Sequence, residues 1–144
     1  MRNNIIKKAG GDMVDFLLVT NNPLTEKKYN DFIEKVDGGL LEVLVRVRDY
    51  IHKGHSLLMH PAPGSIKPNE TPYRSLLITK NFLKGKIDFR SLELIENAIT
   101  VYNKLNYTNY KYNEKILKDF QFIDLDLTKS AVERLHNFNI HHST

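Results

Sequence analysis

The sequence predicts an α/β fold: a small three-layer sandwich around a mainly parallel or mixed sheet of about four strands. Three observations predict it. Short apolar runs at 14–20, 56–60 and 75–79 have the length and composition of buried strands. Amphipathic stretches at helical spacing alternate with them, the pattern that layers helices on a sheet. Asn-Pro, Gly-Gly and Pro-rich segments separate the runs as turns.

The first strand, 14–20, ends in Asn21-Asn22-Pro23. Thr25 is placed to cap the next helix, with Glu26 in its first turn and Tyr29, Phe32, Ile33 and Val36 recurring at helical spacing. Residues 32–36 read equally as helix or as a short strand. Asp37-Gly38-Gly39 breaks the chain before the clearest helix. There Leu40, Leu44, Val47 and Ile51 form one stripe, widened by Leu41, Val43 and Val45, while Glu42, Arg46, Asp49 and Lys53 face away. Gly54 supplies a left-handed stop.

A second buried strand, 56–60, ends at His60. Pro61, Pro63, Pro68 and Pro72 then keep 61–73 out of helix and strand. Residues 75–79 are the next strand, with its orientation open, because a parallel crossover normally contains a helix and this connection has none. Asp88 caps a helix from Phe89 to about Leu105 with Leu92, Ile95, Ala98, Ile99, Tyr102 and Leu105 inward. One or two short helices follow the Tyr- and Asn-rich stretch 106–113, bearing Ile116, Leu117, Phe120, Ile123, Val132 and Leu135. Residues 1–12 are expected to be a flexible extension ahead of Met13, 13–136 a single domain, and 137–144 a frayed tail.

The 144 residues suit one core. Cysteine is absent, which removes disulfides, thiolate metal sites and a cysteine nucleophile, and makes the cytoplasm the expected compartment. The apolar runs fall far short of the ~20 residues of a membrane helix. The net charge is +4, but residues 1–72 hold 10 basic and 9 acidic side chains and residues 73–144 hold 11 and 8. Such interspersed signs argue against a nucleic-acid-tracking surface.

All five prolines lie just after an expected strand, and ligands of open α/β sheets bind outside the carboxyl ends of strands. Asn21, Asn22 and His60 are expected to emerge there, beneath a loop carrying Gly64, Ser65, Lys67, Asn69, Glu70, Thr71, Tyr73 and Arg74. Free backbone N–H groups at Gly64-Ser65 and the charges of Lys67 and Arg74 suit a small anion. The competing reading is that the prolines only stiffen a long connection, while Asn21 and Asn69 make turn bonds and Glu70 pairs on the surface. His52, His55 and His60 match no metal-binding spacing, so neither a metal nor a cofactor is expected. The phosphate-loop, dinucleotide, nucleophile-elbow and zinc-protease motifs are all absent. No catalytic residue is identified beyond His60 as a candidate acid/base, with Ser65, Glu70 or Tyr73 as partner.

Val19-Thr20-Asn21-Asn22-Pro23, the run 47–55, His60-Pro61 and the block 64–75 resemble the GrdX-like family over about residues 14–135. These are small bacterial proteins typically encoded beside glycine, sarcosine or betaine reductase genes in amino-acid-fermenting anaerobes. The resemblance implies a cytoplasmic accessory role near that reductase, with a reductase-complex subunit or a small anionic ligand as partner. It implies no reaction. Its signature in this chain comprises Asn21, Asn22, His60, Ser65, Lys67, Asn69, Glu70 and Tyr73.

Overall fold

A computed structural model describes residues 7–8, 11–12, 15–62, 71–105 and 112–142, with side chains described for 15–62, 71–105 and 112–137. Two short strands, β1 (Lys7–Lys8) and β2 (Gly11–Asp12), pair antiparallel. The main sheet consists of β3 (Phe16–Thr20), β4 (Ile33–Lys35) and β5 (Ser75–Thr79) in the order β4-β3-β5. Among the described residues four helices accompany it: α1 (Pro23–Lys28), α2 (Leu40–His52), α3 (Phe89–Lys104) and α4 (Glu114–His142).

The central strand β3 separates two cores by simple alternation. Leu17 and Val19 on β3, with Leu76 and Ile78 on β5, face α2 and α3, where Leu40, Val43, Leu44, Val47, Ile51, Ile95 and Ile99 are buried. Phe16, Leu18 and Leu77 face the other way, against Ala131, Val132 and Leu135 of α4. The stripe expected for α2 is thus the one that packs, and Gly54 ends that helix at φ 110°. A Cβ on Gly54 would lie 2.4 Å from the Leu83 carbonyl oxygen, so only glycine fits there.

Among the described residues the sheet is the mixed form of the two expected, with one parallel and one antiparallel pair, and has three strands where about four were expected. β3 and β4 are parallel, joined by α1 and a short 3₁₀ turn at Asn30–Phe32, so 32–36 resolves as turn and strand. β5 runs antiparallel to β3, with Thr20 opposite Ser75.

Residues 56–60, expected as a strand, make only a single bridge, Leu57 to Ile78. Leu58 N–H donates to Leu77 O at 2.9 Å and Thr79 N–H to Ser56 O at 2.8 Å. The reciprocal bonds go to side chains instead: Ser56 N–H to Thr79 Oγ1 (2.9 Å) and Leu77 N–H to Met59 Sδ (3.3 Å). Half the ladder is diverted, and the chain leaves the sheet at Met59.

Two helix expectations also change. Asn22, not Thr25, caps α1: Asn22 Oδ1 accepts from Leu24 N at 3.0 Å with Pro23 at the first helical position, and Thr25 is buried one turn in. The C-terminal stretch, expected as one or two short helices, is one helix of 29 residues, and its Ile116 and Ile123 are each 40% exposed. The inward row is instead Asp124, Thr128 and Ala131, two of them polar. Among the described residues no helix is long and apolar enough to cross a membrane.

Candidate functional site

The carboxyl end of β3 and the amino end of β5 meet at one edge, since the two strands are antiparallel. Asn21 holds that edge together. Its Nδ2 donates to Pro72 O (2.7 Å) and Gly38 O (3.0 Å), and its Oδ1 accepts from Arg74 N (2.9 Å). Both amide protons are thereby committed to backbone carbonyls, one on the segment entering β5 and one on the turn before α2. Asn22 is fully buried and equally engaged: besides capping α1, its Nδ2 donates to Gln121 O and to Asp124 Oδ2, each at 2.9 Å.

Asp124 is the centre of a buried polar network that reading the sequence did not single out. Its Oδ2 accepts from Ser75 Oγ at 2.6 Å as well as from Asn22, with Thr25 Oγ1 at 3.4 Å. Ser75 gives its proton to the carboxylate, so Thr20 is the donor in their 2.7 Å hydroxyl pair. Burial pushes the Asp124 carboxyl above its ordinary value, opposed by the Ser75 and Asn22 hydrogen bonds and by the nearby Arg74 charge. The sequence did carry a signal for it: Asp124 and Thr128 sit in the same row of α4 as Ala131, polar residues where an apolar stripe is expected.

Arg74 stands next to this network and outside it. It is 4% exposed, its Nε is buried without a hydrogen-bond partner, and it forms no ion pair among the described residues. Burial lowers its affinity for the proton, and the only compensation comes from the Asp124 charge at longer range. Arg74 and Asp124 share a cleft of about 10 Å³, too small for any organic ion.

On its other side Arg74 lines a cavity of about 160 Å³. Leu40 and Leu44 of α2, Leu94, Ala98 and Val101 of α3, and Pro61 and Ala62 supply apolar walls, with His60 and Asn97 as the other polar groups. His60 is exposed and accepts from Ala62 N–H through Nδ1 at 3.1 Å, which leaves its proton on Nε2 when the ring is neutral. Thr71 is buried and its Oγ1 accepts from Tyr73 N–H, while the Tyr73 hydroxyl accepts from Gln121 Nε2 at 2.8 Å.

Of the residues expected at the site, then, Asn21, Asn22, Thr71, Tyr73 and Arg74 gather at the sheet edge, and His60 shares the larger cavity with Arg74. Gly64, Ser65, Lys67, Asn69 and Glu70 lie outside the described residues. His52 is exposed, and His55 is turned inward with Nδ1 2.7 Å from Thr79 O and its ring edge-on to Tyr50. Among the described residues no three His, Asp or Glu side chains stand close enough to hold a metal ion.

A family model described as GrdX-like protein matches residues 17–133. That span starts in β3 and ends within α4, and it contains every residue of the edge just described. No curated protein and no solved structure matches the chain.

Proposed function

The chain belongs to the GrdX-like family, and from that premise we propose that it is an accessory protein of a glycine reductase system that binds a small anion at the Arg74 edge. The observation that carries this reading is the unpaired guanidinium. A buried cation without a partner costs several kcal/mol, so proteins retain one mainly where something else supplies the negative charge. Arg74 points that cost at a cavity wide enough for a small molecule, and its planar fork suits a carboxylate or phosphate oxygen pair.

The loop residues Gly64, Ser65, Lys67, Asn69 and Glu70 belong to the same proposal, because the chain that carries them leaves the cavity wall at Ala62 and returns at Thr71 beside Arg74. A reductase subunit docked over this loop is the macromolecular form of the same role. A thermal-shift panel of acetate, acetyl phosphate, phosphate and glycine, run on the protein and on Lys67→Ala, tests the reading. A ligand at about 100 times its dissociation constant adds roughly 2.7 kcal/mol, enough to move the midpoint by several degrees. A shift that Lys67→Ala loses supports the site. A flat panel, together with failure to co-purify with reductase subunits, overturns it.

A second reading, a small enzyme acting on a carboxylate or acyl phosphate, is favoured by one observation: His60 and Arg74 line the same cavity. His60 would act as acid/base through Nε2 while Arg74 steadies the anion. Loss of turnover with retained binding in His60→Gln supports it, and unchanged turnover removes His60 from that role.

A further inference from the structure

We propose that the cavity beside Arg74 takes a short-chain aliphatic monocarboxylate of about four to six carbons, its carboxylate on the guanidinium and its alkyl chain between α2 and α3. This rests on the anion reading above and names the ligand class.

Three features select the class. The cavity, about 160 Å³, is close to the size of an apolar cavity that stays dry and binds benzene, which sets the apolar body at about half a dozen heavy atoms. Its walls are aliphatic over most of their extent: Leu40 and Leu44 on one side, Leu94 and Ala98 on the other. They offer an alkyl chain contact that glycine, acetate or phosphate would leave unused. Among the described residues the lining holds one permanent cation and no carboxylate. The planar fork of Arg74 pairs with a single carboxylate head, and the aliphatic α2–α3 cleft covers an uncharged tail.

Titration calorimetry with the sodium salts of acetate, butyrate, pentanoate and octanoate decides the matter, with pentanamide, glycine and inorganic phosphate as comparisons. Affinity is expected to rise about fourfold per methylene from acetate to pentanoate. Octanoate, too long for the cavity, is expected to fall below that trend, and pentanamide to bind at least tenfold more weakly than pentanoate. Arg74→Met is expected to abolish pentanoate binding without lowering the thermal midpoint. Ala98→Leu, which fills the cavity with a well-tolerated helix residue, is expected to erase the chain-length gain while leaving acetate as it was. It keeps the test decisive even if the arginine variant does not fold.

Equal affinity for acetate, phosphate and pentanoate, or tight binding of glycine, overturns the monocarboxylate class and leaves the anion site standing. Binding of pentanamide as tight as pentanoate, or pentanoate binding that survives Arg74→Met, overturns both. The absence of binding by every carboxylate in the series overturns the monocarboxylate class.

Discussion

Asp124 and Arg74 are two buried charges that share a cleft at one sheet edge, and they are treated in opposite ways. The carboxylate sits among three donors from two elements: Ser75 of β5, and Asn22 at the cap of α1 with Thr25 within it. Arg74 has its backbone N–H held by Asn21, while among the described residues its guanidinium makes no ion pair and its Nε is bare. The difference separates architecture from function. A satisfied buried charge welds α4 to the sheet edge, whereas an unsatisfied one costs stability, which is why a ligand is proposed for it.

The largest effect expected on that contrast comes from Asp124→Ala, which strips Ser75 and Asn22 of their acceptor in a closed site. A loss of about 3 kcal/mol in urea unfolding is expected, from two buried hydrogen bonds to the carboxylate removed and a gap behind them. A loss below about 1 kcal/mol would mean that the network is not what joins α4 to the edge. Arg74→Met should do the reverse and stabilise the free protein by about 1 kcal/mol, because an apolar side chain of similar length removes an uncompensated charge. Marked destabilisation would show that the guanidinium has a structural partner.

The two charges also separate by pH. Burial raises the Asp124 carboxyl in the folded state, so the native protein keeps that proton longer than the unfolded chain does. Its contribution is present below the ordinary aspartate value, about 3.9, and is lost as pH rises through the raised folded value. Asp124→Asn should remove this component, so the difference in stability between the protein and the variant should change over that window and flatten above it. Asp88 opposes this background: the Ser91 hydroxyl holds its carboxyl below the ordinary value, and both proteins share it.

The smallest effect is the control. Arg48 is paired with Glu96 at 3.2 Å, but the two side chains are 34% and 50% exposed. Glu96→Ala should change stability by less than about 0.5 kcal/mol and less still in high salt, which isolates burial as the source of the Arg74 effect.

Much of the layer structure was legible because it follows from periodicity. The stripe of α2, the inward face of α3 and the apolar run of β3 are local patterns, and each packs where its spacing directs it. The polar sheet edge was legible in outline for a similar reason. Prolines after a strand mark a loop at a sheet edge, and Asn21, Thr71, Tyr73 and Arg74 all lie there. The misses share one cause. Residues 56–60 have strand composition, but the Thr79 hydroxyl and the Met59 sulfur take ladder positions that composition does not reveal. Asp124 stands in a helix rich in charged residues, where one acid looks like any other until the fold turns it inward.

By itself the sequence determined the class of fold, the inward faces of α2 and α3, the stop at Gly54 and the edge at which polar residues collect, since all of these depend on spacing along the chain and on backbone freedom. Only the tertiary structure decided the direction of β5, which polar residues are consumed in holding the edge, and which one is left over. Asn21, Asn22 and Arg74 are all polar and all near a turn. What distinguishes them is the set of partners within 3 Å, contributed by segments from 38 to 124, and those distances exist only once the chain has folded.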